Sequence, residues 1–276
     1  MATQAASTKP APPKQSLAAA FLPNRNLSPT SMRLMMVLQL VAALGIWVLS
    51  PFEVLPQPLE VFNALGGMWA NQGLGPELIT SFTLNLEALA LTAAISLTLS
   101  YLTVLPFFRP IALAVSKGRF LGLIGLTFIF TLLLGGGHPL KVSLLVFGMS
   151  VFFVTSMMAV IAEIPKSQLD HARTLRMGEW RVVWEVVVLG TADKAIEVFR
   201  QNAAIGWMML TMVEGISRSE GGVGAMLLNQ NKHFHLPEVF AIQLLILFVG
   251  LLQDYGIGFF KQLVCPYADL TLEKHK

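Results

Sequence analysis

Ionisable and amide side chains interrupt the apolar runs of this 276-residue sequence, and they are the first candidates for chemistry. Glu87 lies in one such run, and Arg200, Gln201 and Glu214 lie in another. An ionised side chain at membrane depth costs about 2.5–3.5 kcal/mol on insertion scales, so it is retained where it lines a pathway, forms a gate or pairs with another charge. We therefore take these four residues as pathway or gate candidates.

Structural alternatives stay open for the same residues. Glu197 and Arg200 are three residues apart, so they share one helix face and can neutralise each other. Glu87 can hydrogen-bond to a neighbouring helix without serving any pathway. If Arg200 instead faces a passage together with Gln201 and Asn202, their donors favour an anion there.

Other kinds of site find little support in the sequence. His233 and His235 place two imidazoles in one loop, but a zinc site needs three or four ligands, so we predict no metal. The sequence has no Walker-type phosphate loop, no Gly-x-Ser-x-Gly elbow and no His-Glu-x-x-His pair. The single Cys265 has no second cysteine with which to form an intrachain disulfide. We expect neither catalysis nor a cofactor in this chain.

The composition indicates whether lipid or water surrounds the protein. Hydrophobic residues make up 54% of the chain and charged residues only 13%, whereas soluble domains carry about a quarter charged residues. Lipid therefore surrounds most of the molecule. The net charge of +3 is spread through the gaps between apolar runs rather than clustered on one face, which argues against a nucleic-acid partner.

Six apolar runs are candidates for membrane-spanning helices, because about 20 apolar residues cross the hydrocarbon core. Since lipid offers no partners to backbone amides, helices are expected there, and the fold class is an all-α membrane protein with about six transmembrane helices. The six runs cover residues 34–50, 79–105, 120–134, 140–162, 196–216 and 239–260.

The distribution of basic residues predicts the orientation of these runs. Lys and Arg accumulate in short cytoplasmic loops. With both termini cytoplasmic, fifteen of the nineteen basic residues lie inside, and only Lys141, Arg218 and Lys232 lie outside. We expect a flexible cytoplasmic tail over 1–33, a membrane domain over 34–262 and a cytoplasmic tail over 263–276.

One segment between apolar runs, residues 163–194, is long, charged and aromatic. Pro165 and Ser167 are helix-start signals, and Trp180 and Trp184 are one turn apart. We predict one or two short helices over 168–186 at the inner membrane surface. An amphipathic anchor with no further duty is the alternative interpretation.

The residues of this segment resemble the EAA loop of ABC-importer permeases, which has Glu-Ala-Ala, three residues, Gly, nine residues and then Ile-x-Leu-Pro. Here Asp170, His171 and Ala172 stand at the first three positions, Arg176 at the glycine and Leu189 at the proline. Only Ala172 is identical. The resemblance implies that Arg176 is unfavourable at a tight turn unless an ATPase groove or Glu179 accommodates it.

Further short sequence motifs resemble those of the nitrate/sulfonate/taurine branch of that family. Ala-Arg-Thr-Leu is intact at 172–175, and Trp180 is in register. The following helix resembles the branch in the spacing of Arg200, Trp207 and Glu214, followed by Gly222 and Gly224. Residues 55–69 and 135–153 are also similar, so the resemblance covers roughly residues 51–260.

The resemblance implies the type I ABC importer (MetI-like) permease fold in a bacterial inner membrane, with a cytoplasmic coupling helix. It also implies as partners cytoplasmic ABC ATPase subunits, a periplasmic substrate-binding protein and a second permease protomer. Trp207 joins the pathway or gate candidates on the same ground. The implied ATPase-coupling residues are Asp170, His171, Ala172, Arg173, Thr174, Leu175, Arg176 and Gly178.

The resemblance further implies import of a small solute, such as nitrate, a sulfonate, taurine or bicarbonate, without naming which one. A secondary transporter or channel is the alternative, since buried charges suffice for it as well. Six runs without an evident internal repeat, together with a long inner segment, favour the ATP-driven importer.

Overall fold

The computed structural model describes residues 28–50, 52, 54–217 and 220–266. The chain divides into two compact units, Met1–Pro58 and Leu59–Lys276. Most of the two predicted tails, 1–27 and 267–276, lies outside the described residues. Near the predicted boundary at residue 33, Ser28 caps a helix that begins at Pro29 by accepting a hydrogen bond from Ser31 N.

The described residues form eleven α-helices joined by turns, and no strand occurs among them, so the all-α prediction is confirmed for this part of the chain. The helices are α1 Pro29–Val48, α2 Pro58–Asn71, α3 Leu74–Leu102, α4 Arg109–Lys117, α5 Leu123–Leu134, α6 His138–Ala162, α7 Lys166–Thr174, α8 Glu179–Val182, α9 Ala192–Ile216, α10 Val223–Lys232 and α11 Leu236–Val264.

Four helices of the described chain, α1, α3, α6 and α11, are long and apolar enough to cross a membrane. A fifth span results if the turn-and-helix segment Pro106–Phe120 and α5 count as one, although they meet at 115°. The protein therefore has multi-pass membrane character. The fifth predicted run differs because α9, with 25 residues, is long enough but carries several charged residues.

Two elements depart from the sequence prediction. The segment 51–78, which lies between the first two predicted runs, contains α2, whose Val61 and Met68 are buried. The third run is shorter than expected, because α5 has 12 residues and a rise of about 18 Å against roughly 30 Å of hydrocarbon. The residues before α5 form α4, which turns aside instead of extending the span.

The second unit is built around α9. Trp207 of α9 bonds to Gln253 of α11, and Glu197 bonds to Lys261, so these two helices are antiparallel. Contacts near both ends of α3, α6 and α9 show that α3 and α6 run parallel to each other and opposite to α9. Three parallel helices thus surround one antiparallel helix, and α7 and α8 lie between α6 and α9 in sequence.

The outer surface of this unit is apolar, in agreement with a lipid environment. Phe128 and Leu132 of α5 are about 70% exposed, and Leu247 and Phe259 of α11 are also exposed. A soluble monomer rarely shows so large a continuous apolar surface. The interior is close-packed around side chains such as Leu144, which is fully buried.

Candidate functional site

Two polar regions lie at opposite ends of α3 and α6. We call residues 166–182, which comprise α7 and α8 and the turn between them, the α7–α8 corner. We call residues 220–224, which lead into α10, the strap. Both regions contain charged side chains and residues with positive φ, so both are candidates for function.

The α7–α8 corner consists of two short helices, as predicted for this segment. Pro165 precedes α7 in extended conformation, which suits a helix start. Gly178 has the N-cap position of α8. Apolar packing fixes the position of the corner on the protein. Within the corner Ala172 and Val182 are buried, and so is Val187 just after it.

Arg173 holds the corner closed. Its Nε and Nη2 donate to the two carboxylate oxygens of Glu179 at 3.0 and 3.1 Å, and its Nη1 donates to Asp170 at 3.1 Å. The hydrogen bonds and positive charge of Arg173 lower the pKa of Glu179, and the same partners raise the pKa of Arg173. The bidentate geometry fixes α8 against α7 even though all three side chains are exposed.

Arg176 occupies the turn between the two helices with φ of 59°. This left-handed conformation is typical of glycine and costs other residues about 1–2 kcal/mol. The expectation of a tight turn at this position is therefore confirmed. Glu179 is engaged by Arg173, however, so it does not accommodate Arg176.

A cleft of about 410 Å³ lies on the inner side of the corner. Its walls include Thr103 at the end of α3, Ile161 of α6, and the Arg173–Glu179 pair. Outside the cleft, Lys194 Nζ lies 3.3 Å from Glu163 and joins the two ends of the 163–194 segment. The corner thus follows α6 and precedes α9 in the chain, and it borders the end of α3 across the cleft.

The strap lies at the other end of the bundle and is held by side chains from three helices. Lys141 of α6 donates to Gly221 O at 2.9 Å, and Glu77 of α3 accepts from Gly222 N. Ser81 accepts from Val223 N at 2.8 Å, and Glu214 of α9 accepts from Gly224 N at 2.8 Å. The hydroxyl of Ser81 also donates to Glu214 at 2.7 Å.

Charge and burial explain why the strap is held in this one arrangement. Lys141 is 1% exposed and Glu214 is fully buried. Taking a single charge out of water is costly, whereas opposite charges with saturated hydrogen bonds offset one another. The two carboxylates accept amide hydrogens at the N-terminus of α10, where the helix dipole favours negative charge. Lys141 therefore belongs to the interior of the bundle at the start of α6.

Glycine is required in the strap. Gly221 and Gly222 have φ of 69° and 108°, and a Cβ on either would meet the carboxylate of Glu77 or Glu214. A Cβ on Gly224 would lie 2.5 Å from the backbone oxygen of Thr211. The close approach of backbone to carboxylates depends on these missing side chains.

Glu87 lies beside the strap in an exposed cluster. His138 Nε2 is 2.8 Å from Glu87, and its backbone nitrogen donates to Glu220 at 2.8 Å. Gly135 and Gly137 before α6 have positive φ, so the chain turns tightly just before His138. The interhelical bond from α3 to α6 agrees with the structural alternative for Glu87.

The remaining pathway or gate candidates lie along α9. Arg200 pairs with Glu197 at 3.3 Å, as the structural alternative predicts, and also with Asp254 of α11 at 3.1 Å. Lys261 of α11 completes the group by binding Glu197 at 2.9 Å. The four charges sum to zero and join α9 to α11.

Trp207 lies midway between this charged group and the strap. Its Nε1 donates to Gln253 Oε1 at 2.6 Å, and Asn85 Nδ2 donates to the same oxygen at 3.2 Å. Gln201 is exposed on the outer face of α9. The candidates Arg200, Gln201, Trp207 and Glu214 are therefore spread over the length of α9, whereas Glu87 lies on α3, and the five do not form one site.

The two histidines before α11 do not gather a metal-binding group in the described part of the chain. His233 Nδ1 lies 2.8 Å from Asn229 O, and His235 Nδ1 lies 2.8 Å from Gln230 Oε1. Each ring is thus engaged locally.

Sequence reasoning missed Glu77, Ser81, Lys141, Gln253 and Asp254. The first three come together only across more than 60 residues of chain, so no local pattern joins them. A usable signal existed in Gly221, Gly222 and Gly224, because closely spaced glycines indicate a backbone that approaches other groups closely.

Comparison with known proteins adds no family assignment. No protein-family model matches the chain, and no curated protein matches it significantly.

Proposed function

We propose that the chain is the transmembrane permease subunit of an ATP-driven importer in a bacterial inner membrane. The imported solute is a small oxyanion such as nitrate, a sulfonate, taurine or bicarbonate, delivered by a periplasmic binding protein. The single observation that carries this proposal is the α7–α8 corner. A shaped, charged segment that lies between α6 and α9 in the chain and borders the end of α3 is what a cytoplasmic ATPase needs in order to move these helices.

Docking of the ATPase involves residues 170–178. Arg173 gives the corner its shape by binding Asp170 and Glu179, whereas Leu175 and Arg176 project from its apex and are exposed. An exposed leucine beside charged groups suits a partner pocket with a polar rim. Because the corner follows α6 and precedes α9 in the chain, its movement displaces these two helices relative to each other.

The proposal includes six spans in the type I permease fold. In it α9 crosses the membrane despite its charges, because Glu197 and Arg200 are paired and Glu214 is buried in the strap network. The parallel α3, α6 and α11 and the antiparallel α9 fit the alternation that six spans require. The excess of basic residues supports a cytoplasmic location for the corner and both termini in this proposal.

Reconstitution tests the function directly. The chain is co-purified with the ATPase and binding protein encoded beside it and placed in vesicles. We expect the loaded binding protein to stimulate ATP hydrolysis and ATP-dependent uptake of the solute. Uptake driven by an ion gradient without any ATPase would instead establish a secondary transporter or channel.

A substitution at the apex tests the docking surface. Leu175→Asp places a charge where we propose that the ATPase binds, and we expect loss of co-purification and of transport. Leu263→Asp at the end of α11 is a matched control, because Leu263 is 65% exposed and Leu175 is 60% exposed. Equal ATPase binding by the wild type and Leu175→Asp would contradict the proposal.

A further inference from the structure

The cleft on the inner side of the α7–α8 corner lies where two long apolar helices end. Its walls include Thr103 and Val104, the first two residues after α3, and Ile161 and Ala162, the last two residues of α6. Both helices are long and apolar enough to cross a membrane, and they run parallel to each other. Their common end therefore marks one surface of the bilayer, and the cleft lies at the depth of the lipid headgroups.

Apolar side chains form most of the wall of this cleft, and the protein itself covers them incompletely. Six of them are partly buried or exposed: Val104, Leu113, Met158, Ile161, Leu169 and Val183. The volume of about 410 Å³ is in the range of small-molecule sites. Water finds few hydrogen-bond partners at such walls, so an apolar group is the better occupant.

One cation also lines the cleft. Arg109 begins α4, and its Nε donates to Thr103 O at 3.0 Å, which holds the exposed guanidinium at the wall. No carboxylate within the described ranges lies at ion-pair distance from Arg109. The other two charged residues of the wall, Arg173 and Glu179, neutralise each other. The cleft therefore combines apolar walls with one positive charge that has no counter-ion in the described chain.

The residues around Arg109 extend the positive charge. Lys117 and Arg119 follow on the same segment and are exposed, and the sequence has no acidic residue between positions 87 and 163. Phe107 and Phe120, on either side of α4, are 74% and 79% exposed. Basic residues interleaved with exposed aromatic side chains are typical of segments that contact an anionic lipid surface.

We propose that the cleft binds one anionic phospholipid, with its phosphate on Arg109 and part of an acyl chain against the apolar walls. A guanidinium matches the geometry of phosphate oxygens, and the bilayer supplies such a ligand at this depth. Leu169 of α7 and Val182 of α8 line the same cleft, so the bound lipid stabilises the corner against the ends of α3 and α6. The inference rests on the membrane character of the chain and does not depend on the importer function.

Lipid titration tests the proposal. The purified chain is delipidated in a non-ionic detergent and titrated with phosphatidylglycerol, or with phosphatidylcholine of the same acyl chains, which has no net charge. Native mass spectrometry counts the retained lipid. A ligand that binds only the native state raises the Tm, so we expect one phosphatidylglycerol to be retained and to raise the Tm more than phosphatidylcholine does. Equal retention and equal Tm shifts for the two lipids would overturn the proposal.

A pair of substitutions on α4 tests the proposed phosphate contact. Arg109→Gln removes the cation of the cleft, whereas Lys117→Gln is the matched control, because Lys117 is an exposed cation of the same helix outside the cleft. Since a hydrogen bond to a charged group is lost, we expect Arg109→Gln to weaken phosphatidylglycerol binding about tenfold and the control to change it little. Equal losses in the two variants would indicate diffuse attraction to basic residues and would overturn the cleft site. Unchanged binding by Arg109→Gln would overturn it as well.

The apolar part of the site needs a separate test. Ile161→Trp fills the cleft while Arg109 remains, and Ile129→Trp on α5 is the control, because Ile129 is exposed outside the cleft. We expect only Ile161→Trp to reduce lipid retention. Inorganic phosphate at the concentration of the lipid should leave the Tm of the wild type unchanged. If it raises the Tm as much as phosphatidylglycerol, the chain binds a free anion and the proposal is overturned.

Hydrogen exchange on the wild type covers the case in which these variants fail to fold. The bound lipid contacts α7 and α8, whereas α10 lies at the other end of the bundle. Phosphatidylglycerol should therefore slow amide exchange in α7 and α8 and leave α10 unchanged. No slowing in α7 and α8, or equal slowing in all three helices, would show that the lipid does not bind in the cleft.

Discussion

The strap and the α7–α8 corner contain similar chemical groups in different surroundings. Both have carboxylates bound by a basic side chain or by amide groups, and both have backbone in the left-handed region. The charges of Lys141 and Glu214 that hold the strap are buried, and its left-handed residues are glycines. In the corner the charges are exposed and the left-handed residue is Arg176. The strap is therefore expected to respond strongly to substitution, and the corner weakly.

The largest difference is expected at the buried cation of the strap network. Lys141→Met removes the donor to Gly221 O and leaves Glu77 and Glu214 without a nearby cation. Because breaking one member of a buried charged group leaves the others uncompensated, we expect a loss of roughly 3–5 kcal/mol in the free energy of unfolding. Chemical denaturation in detergent micelles measures it.

The control for this substitution is Lys232→Met at the exposed end of α10. It should change stability by no more than about 0.5 kcal/mol. Equal effects at the two lysines would mean that burial does not distinguish the strap.

Overpacking of the strap is expected to be the next largest effect. Gly224→Ala places a methyl group 2.5 Å from Thr211 O, which is backbone and moves little. We expect a loss of about 1–3 kcal/mol, measured by the same unfolding experiment. Gly67→Ala in α2 meets nothing within 4 Å and should be neutral or stabilise the protein by about 0.5–1 kcal/mol.

In the corner, we expect a substitution that stabilises the protein instead of destabilising it. Arg176→Gly relieves a left-handed arginine and should stabilise the corner by about 1 kcal/mol, detected as slower amide hydrogen exchange in α7 and α8. Gly178→Ala, at φ of −67°, relieves nothing and serves as the control. Faster exchange in Arg176→Gly would show that the arginine side chain stabilises the turn through contacts that outweigh its backbone cost.

The smallest effect concerns the pH dependence of the corner. Arg173 lowers the pKa of Glu179 below its ordinary value of 4.5, so ionised Glu179 stabilises the corner at neutral pH. This contribution is complete above 4.5 and disappears as the pH falls through the lowered pKa. Hydrogen exchange in α8 should accelerate over that acidic range, and Glu179→Gln should remove the dependence.

Local signals explain which features were predictable. Pro165, Ser167 and the paired tryptophans lie within one segment, and they predicted the short helices of the corner. Four of the six apolar runs became the long helices α1, α3, α6 and α11, with ends displaced by a few residues. In each case the information lies within neighbouring residues, where hydropathy and helix-start signals act.

Features that depend on distant contacts were not predictable. Residue 77 meets residue 222, and residue 81 meets residue 214, so the strap network joins parts of the chain separated by more than 130 residues. The helix α2 was not predicted, because its two glycines and its moderate length are also typical of a loop. The turn of α4 away from α5 reflects packing against α6, which hydropathy does not encode.

The sequence distance across the strap has a consequence for biosynthesis. Gly222 follows Glu77 by 145 residues, and a ribosome adding about 5–20 residues per second needs roughly 7–29 s for that interval. During this time α3 and α6 have been synthesised with Glu77, Ser81 and Lys141 lacking their final partners. The insertion machinery or transient water must shelter these groups until the strap emerges, so completion of α9 and α10 is the step that commits the newly made chain to its native interior.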